Sequence, residues 1–165
     1  MTTTDRFALP LLVAGQSQKE VTHNEALALI DILVQPIVEA VAPANIPSSP
    51  VVGQSWIVGN LATGDWSGHD GALACWTSGG WRFASLPDGA SVWSRTDSMS
   101  ARRQNGAWVV GVENVKHLTI DNIQVVGGQQ AAIATPANGN TVDTEGRSAI
   151  SAILGALRAH GLIAT

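Results

Sequence analysis

An imidazole beside carboxylates is the arrangement that activates water or ligates a metal ion, and this chain has two such groupings. Asp65, His69 and Asp70 lie together in a glycine-rich stretch, and Glu20, His23 and Glu25 lie in one with helical spacing. Neither carries a metal signature: His69 and Asp70 are adjacent, which defines no coordination geometry, and no second histidine follows at the four-residue step. Glu20 and His23 share a helix face but need groups from other elements to complete a site. Asp65, Asp70, Asp88 and Asp97 have the side-chain type that glycan hydrolysis uses in pairs about 5–9 Å apart, a separation that spacing along the chain does not set. No serine sits in a G-x-S-x-G elbow, and neither a P-loop nor a G-x-G-x-x-G is present. Cys75, the single cysteine, lies in Ala72-Leu-Ala-Cys-Trp76, which suits a small buried hydrophobe better than a thiolate nucleophile. No catalytic residue, cofactor or metal is therefore expected.

The remaining chemical signal is aromatic. Trp66 stands between Asp65, Ser67, His69 and Asp70, and an indole rimmed by hydrogen-bonding groups suits a sugar ring or a partner protein as well as a core. Trp66, His69 and Asp70 are the candidate glycan or partner contacts, with core packing the other reading of Trp66. All six tryptophans fall between Val51 and Gly111, in or beside short segments separated by glycines. That alternation predicts an antiparallel sheet or partly open barrel built on indoles. Strands are expected at 54–58, 72–76, 81–83, 90–94, 100–104 and 107–110, with Asn105-Gly106 as the strongest hairpin signal. Beyond them Leu118 and Ile120 alternate with polar residues, as do Ile123 and Val125, and Asp121-Asn122 shifts the phase through a bulge or a turn.

Helices are expected at both ends. Ser17-Gln-Lys-Glu20 has capping-box spacing, and Leu27, Ile30, Val34, Ile37 and Val41 form a stripe at steps of three and four. Pro36 predicts a kink or a break in that helix. Ahead of it, Phe7 to Gly15 reads as an apolar arm lying on another element or subunit. A second helix is expected from about Val142 to His160, capped by Thr141 or Asp143, with a stripe of Ile150, Ile153, Leu154 and Leu157 and a Gly161-Leu162 stop. The fold class is α+β, divided into an arm and assembly helix at 1–42, a tryptophan-rich β domain at 51–135 and a C-terminal helix at 141–163.

Composition limits the partners. Apolar residues make up 45% of the 165 and charged residues 13%, so burial in an oligomer would help to keep the chain soluble. The net charge of −4 argues against nucleic acid. No apolar run approaches the roughly 18–20 residues of a membrane span, and the N-terminus lacks the pattern of a secretory signal.

Several runs carry a resemblance to a known family. Ala14-Gly-Gln-Ser-Gln-Lys-Glu-Val-Thr-His-Asn-Glu-Ala26, Gly53-Gln-Ser-Trp-Ile-Val-Gly59, Thr63-Gly-Asp-Trp-Ser-Gly-His-Asp-Gly71, Trp81-Arg-Phe83 and Pro87-Asp-Gly89 resemble uncharacterised domains of tailed-phage structural proteins and of the phage-like gene transfer agents of alphaproteobacteria. Gly146-Arg-Ser-Ala-Ile150 and Leu157-Arg-Ala-His-Gly-Leu-Ile163 resemble the terminal segment that accompanies them. The resemblance implies a non-enzymatic virion component, assembled in the bacterial cytoplasm, that serves as the base or adaptor of a head spike or tail fibre. Its partners would be copies of itself, as a trimer or pentamer, and capsid, spike or tail proteins, with surface polysaccharide as a further candidate. Phe7, Leu9, Leu27, Ile30, Val34, Ile37, Ile150, Ile153, Leu154 and Leu157 are the candidate assembly contacts. The competing readings are a carbohydrate-binding module, which requires several indoles exposed on one face, and a glycan hydrolase.

Overall fold

The computed structural model describes residues 3–13, 15, 19–135, 137 and 143–164. The chain divides into two compact units, Met1–Val112 and Glu113–Thr165. These do not follow the division at 42, 51, 135 and 141, because the arm and first helix are bonded into the first unit and residues 113–135 belong to the second.

The first unit opens with residues 3–13 folded into a tight loop. The Thr4 N–H donates to the Leu9 carbonyl and the Leu9 N–H to Thr4 Oγ1, both at 2.9 Å. Helix α1 (Lys19–Leu33) follows; Ser17, its expected cap, lies outside the described residues. Instead of kinking at Pro36 or continuing as a second helix, the chain leaves the helix before the proline. Pro36 offers no N–H to extend the ladder and bars helical geometry from its predecessor, and Gln35 turns away with φ of 44°. Ile37, expected on a helical stripe, lies instead in strand β1 (Ile37–Val38).

Strands β2 (Ser55–Ile57), β3 (Leu73–Thr77) and β4 (Gly80–Ala84) form one antiparallel sheet in that order. Strands β5 (Ser91–Ser94), β6 (Met99–Gln104) and β7 (Ala107–Val110) form a second, in which β1 pairs parallel with β5 at its edge. Asn105 and Gly106 supply φ of 50° and 78° at the β6–β7 turn, as a two-residue type I′ hairpin requires.

Because strand side chains alternate, β3 serves two cores at once. Leu73 and Cys75 join Ile32, Val38, Ile57, Val92 and Ala101 in an aliphatic cluster that ties α1 to both sheets. Ala74 and Trp76 face the other way, into an aromatic cluster with Trp56, Val58, Trp66, Trp81 and Phe83.

The second unit contains β8 (Leu118–Ile120) and β9 (Ile123–Val126), paired as a two-stranded hairpin, and α2 (Thr144–Ala159). Asp143 caps α2 by accepting from the Gly146 N–H at 2.8 Å; Thr141 lies outside the described residues. At the far end Gly161 adopts φ of 71° and the Leu162 N–H donates to the Leu157 carbonyl at 2.9 Å, the stop that Gly161-Leu162 predicts. Among the described residues of this unit, Leu154 and Ile163 are the buried hydrophobics.

Candidate functional site

The loop from Gly59 to Gly71 is built from within. Its 3₁₀ turn, Gly64–Trp66, drives Trp66 beneath the loop, where the indole is 2% exposed. Trp66 lies edge-on to Trp81 at 5.3 Å and tilted to Trp56 at 6.4 Å, while Trp76 meets Trp81 edge-on at 5.1 Å. Edge-to-face packing of this kind satisfies the ring quadrupoles and fills large volumes. Trp66 is therefore core, and its faces are covered by other indoles rather than offered to a sugar. Trp93 on β5 is the one tryptophan among the described residues with an exposed side chain, at 46%.

The other loop residues brace the backbone. Asp70 accepts from the Leu61 and Ala62 N–H groups at 2.8 and 3.1 Å, closing the loop across its own base. His69 stacks on Phe83 with ring centroids 3.7 Å apart and planes nearly parallel. The Gly71 carbonyl accepts from the Trp108 indole at 2.8 Å and from Arg103 at 3.0 Å, which pins the loop to β6 and β7. A Cβ at Gly71 would lie 2.7 Å from the Arg103 guanidinium, and the φ of 71° there also calls for glycine.

The carboxylates do not gather. Asp88 accepts from the Gly106 N–H of the β6–β7 turn and Asp97 from the Ser94 hydroxyl within its own turn, so each carboxylate is engaged in bracing a turn. In the second grouping Glu25 pairs with Arg82 at 2.9 Å, and His23 Nδ1 lies 2.8 Å from the Lys19 carbonyl. Among the described residues no group of three His, Cys, Asp or Glu side chains is placed to hold a metal ion. Cys75 lines a cavity of about 150 Å³ between the N-terminal loop, α1 and the β3–β4 turn, smaller than the roughly 300 Å³ at which ligand pockets begin. Burial pushes its thiol above the ordinary value, with the neighbouring Ser55 side chain acting more weakly in the other direction, so the protonated form is favoured.

The strongest polar feature was missed by motif reading. Asp31, buried among the apolar residues of α1, accepts from the backbone N–H groups of both Arg6 and Phe7 at 2.7 Å. The Arg6 guanidinium in turn donates to the carbonyls of Asp31 and Ile32 at 2.6 and 2.9 Å, and also to that of Gln35, covering the end of α1 where carbonyls lack helical partners. Asn24 holds Leu12 by both its N–H and its carbonyl, and Asp5 accepts from the Ser78 N–H. The available signal was a lone charge inside the apolar run Leu29-Ile-Asp-Ile-Leu33.

Of the two supports left open for the arm, another element or another subunit, α1 is the element on which residues 3–13 lie. Of the expected assembly residues there, Phe7 is exposed and Leu9 half-buried; in α1, β1 and the link between them, Leu27 is half-buried while Ile30, Val34 and Ile37 are exposed. In α2, Ile150 and Ile153 are exposed and Leu157 is half-buried, whereas Leu154 is buried.

Met1–Val112 is thus a small α+β domain with an indole core, whose loop residues Asp70, His69 and Gly71 brace its backbone. Residues 23–109, just over half of the chain, match the family described as Protein of unknown function (DUF2793), and the chain belongs to that family. The match lies wholly within the first unit. No curated protein and no solved structure matches the chain.

Proposed function

We propose that the protein is a non-enzymatic structural component of a phage-like particle, an oligomeric base or adaptor for a head spike or tail fibre. The observation that carries this reading is the second unit, which leaves Val115, Leu118, Ile120, Ile123, Val125, Val126, Ile150 and Ile153 in solvent. A two-stranded hairpin and one helix without a core are not stable in water by themselves. Association supplies the missing core, while the first unit is complete and acts as the displayed domain. The particle itself rests on the resemblance of the Ala14-to-Ala26, Gly53-to-Gly59 and Thr63-to-Gly71 runs to phage and gene transfer agent domains. The carbohydrate-binding alternative loses support, because it called for several exposed indoles and Trp93 alone among the described tryptophans is exposed. Size-exclusion chromatography with light scattering on the full chain at micromolar concentration is expected to give an oligomer; a monodisperse monomer would overturn the proposal.

A further inference from the structure

We propose that Asn105 is a site of spontaneous deamidation and that Asp88 is the residue that holds the reaction in check. Deamidation needs an asparagine whose side-chain amide the next backbone nitrogen can reach, and a glycine in that next position puts no Cβ in the way. Asn105-Gly106 is one of two such pairs in the chain. Register fixes its setting: Gln104 lies opposite Ala107, so these two residues are the whole of the β6–β7 turn, and both are exposed. Their φ of 50° and 78° belong to the type I′ geometry that a two-residue hairpin demands. A Cβ at Gly106 would meet nothing within 4 Å, so the backbone angle rather than crowding calls for glycine there. The turn that sets this hairpin therefore brings a chemically fragile pair with it.

In the reaction the Gly106 nitrogen loses its proton to solvent base and attacks Asn105 Cγ. The N–Cγ bond forms, the Cγ–Nδ2 bond breaks, and Nδ2 takes a proton from water and leaves as ammonia, giving a succinimide. Water then opens the ring at either carbonyl, to aspartate or to isoaspartate, whose main chain is one carbon longer. The proton that must be lost is the one Asp88 holds: its Oδ1 accepts from the Gly106 N–H at 3.0 Å. That bond stabilises the unreacted turn, and a negative charge beside the nitrogen disfavours the amide anion. A carboxylate is too weak a base to take the amide proton itself. Asp88 is positioned from outside the hairpin, by the turn between β4 and β5. The Ala90 N–H closes that turn onto the Pro87 carbonyl at 3.2 Å, the Gly89 N–H donates to the Arg103 carbonyl at 2.8 Å, and Arg103 Nε lies 3.9 Å from Asp88 Oδ1. Arg103 and Trp108, the pair next to the turn, also hold the Gly71 carbonyl. A lengthened main chain at Asn105 would therefore disturb the anchor of the Gly59-to-Gly71 loop.

The test ages the full chain in mildly alkaline buffer, folded and in denaturant, as wild type and as Asp88→Ala. Peptide mapping by mass spectrometry reads the conversion of amide to acid at Asn105 and separates it from Asn138, which precedes the other glycine. Asp88 is exposed and solvent weakens its bond, so Asp88→Ala is expected to speed the folded-state reaction at Asn105 by about three- to tenfold. In denaturant both chains are expected to react at the same rate, faster than folded wild type. His69→Ala is the control for lost stability: it removes the stack on Phe83, leaves the Asp88 bond in place, and is expected to stay within about twofold of wild type. An unchanged folded-state rate in Asp88→Ala, an equal acceleration by His69→Ala, or a folded wild type that reacts as fast as the denatured chain would each overturn the proposal.

Discussion

The two units of this chain solve the burial problem in opposite ways. In Met1–Val112, β3 is covered on both sides: Leu73 and Cys75 lie in an aliphatic cluster and Ala74 and Trp76 in an aromatic one. Loops are stitched down by side chains such as Asp70, Arg103 and Trp108. In Glu113–Thr165, a hairpin and a helix of comparable apolar content bury two hydrophobic residues among those described. Apolar sequence alone does not make a core. A layer must have a second layer to face, and only the first unit contains both of its own.

The largest test of this contrast is hydrogen exchange on the chain diluted below its association range. Amides of β3 and β6 should exchange about a thousandfold or more slowly than unprotected ones, while those of β8 and β9 should approach unprotected rates. Equal protection in both units at that dilution would erase the distinction.

Next in size, Trp66→Ala should destabilise the first unit by about 3–5 kcal/mol, since it empties a buried indole site that Trp56 and Trp81 surround. Chemical denaturation followed by tryptophan fluorescence would measure it; a cost below about 1 kcal/mol would mean that the loop, and not the core, holds this side chain.

Asp31→Ala removes the acceptor of two backbone N–H groups and should cost about 1–3 kcal/mol, with faster proteolysis between residues 3 and 13. Protease resistance equal to wild type would separate the N-terminal loop from the stability of the unit.

The stack of His69 on Phe83 is the smaller brace, and His69→Ala should cost about 0.5–1.5 kcal/mol without altering the oligomer. A change in oligomer mass would instead make the Gly59-to-Gly71 loop an assembly surface.

The smallest effect concerns pH. Burial raises the Cys75 thiol above its ordinary value of 9.0, so the protonated thiol's contribution is fully present below that value and lost as pH rises through the folded one. Stability of the first unit should therefore decline slightly above pH 9, and Cys75→Ala should flatten the decline. Rapid alkylation of native Cys75 near neutral pH would contradict its burial.

Much of the local structure was legible in the residues. Alternation and glycine spacing marked the strands from β2 to β7, Asn105-Gly106 marked a hairpin, and Asp143 and Gly161-Leu162 marked the ends of α2. Each of these signals acts within a few residues, where the geometry of one turn or one pleat decides the outcome. The candidate site was less legible. Trp66 with its polar neighbours reads equally as a platform or as a core residue, and whether Trp56 and Trp81 cover it depends on strands brought together from elsewhere in the chain.

By itself, then, the sequence of this protein determined the strands from β2 to β7, the Asn105-Gly106 turn and both ends of α2, and that no assembled catalytic motif is spelled out along it. Tertiary structure alone decided that Ile37 and Val38 pair with β5, that Arg6 and Asp31 fasten residues 3–13 to α1, and that Trp66 is enclosed while Trp93 is not. It also decided which apolar face goes uncovered. The physical reason is common to all four: each outcome depends on a contact between segments distant in sequence, and neither local spacing nor propensity states which distant surface will be within reach.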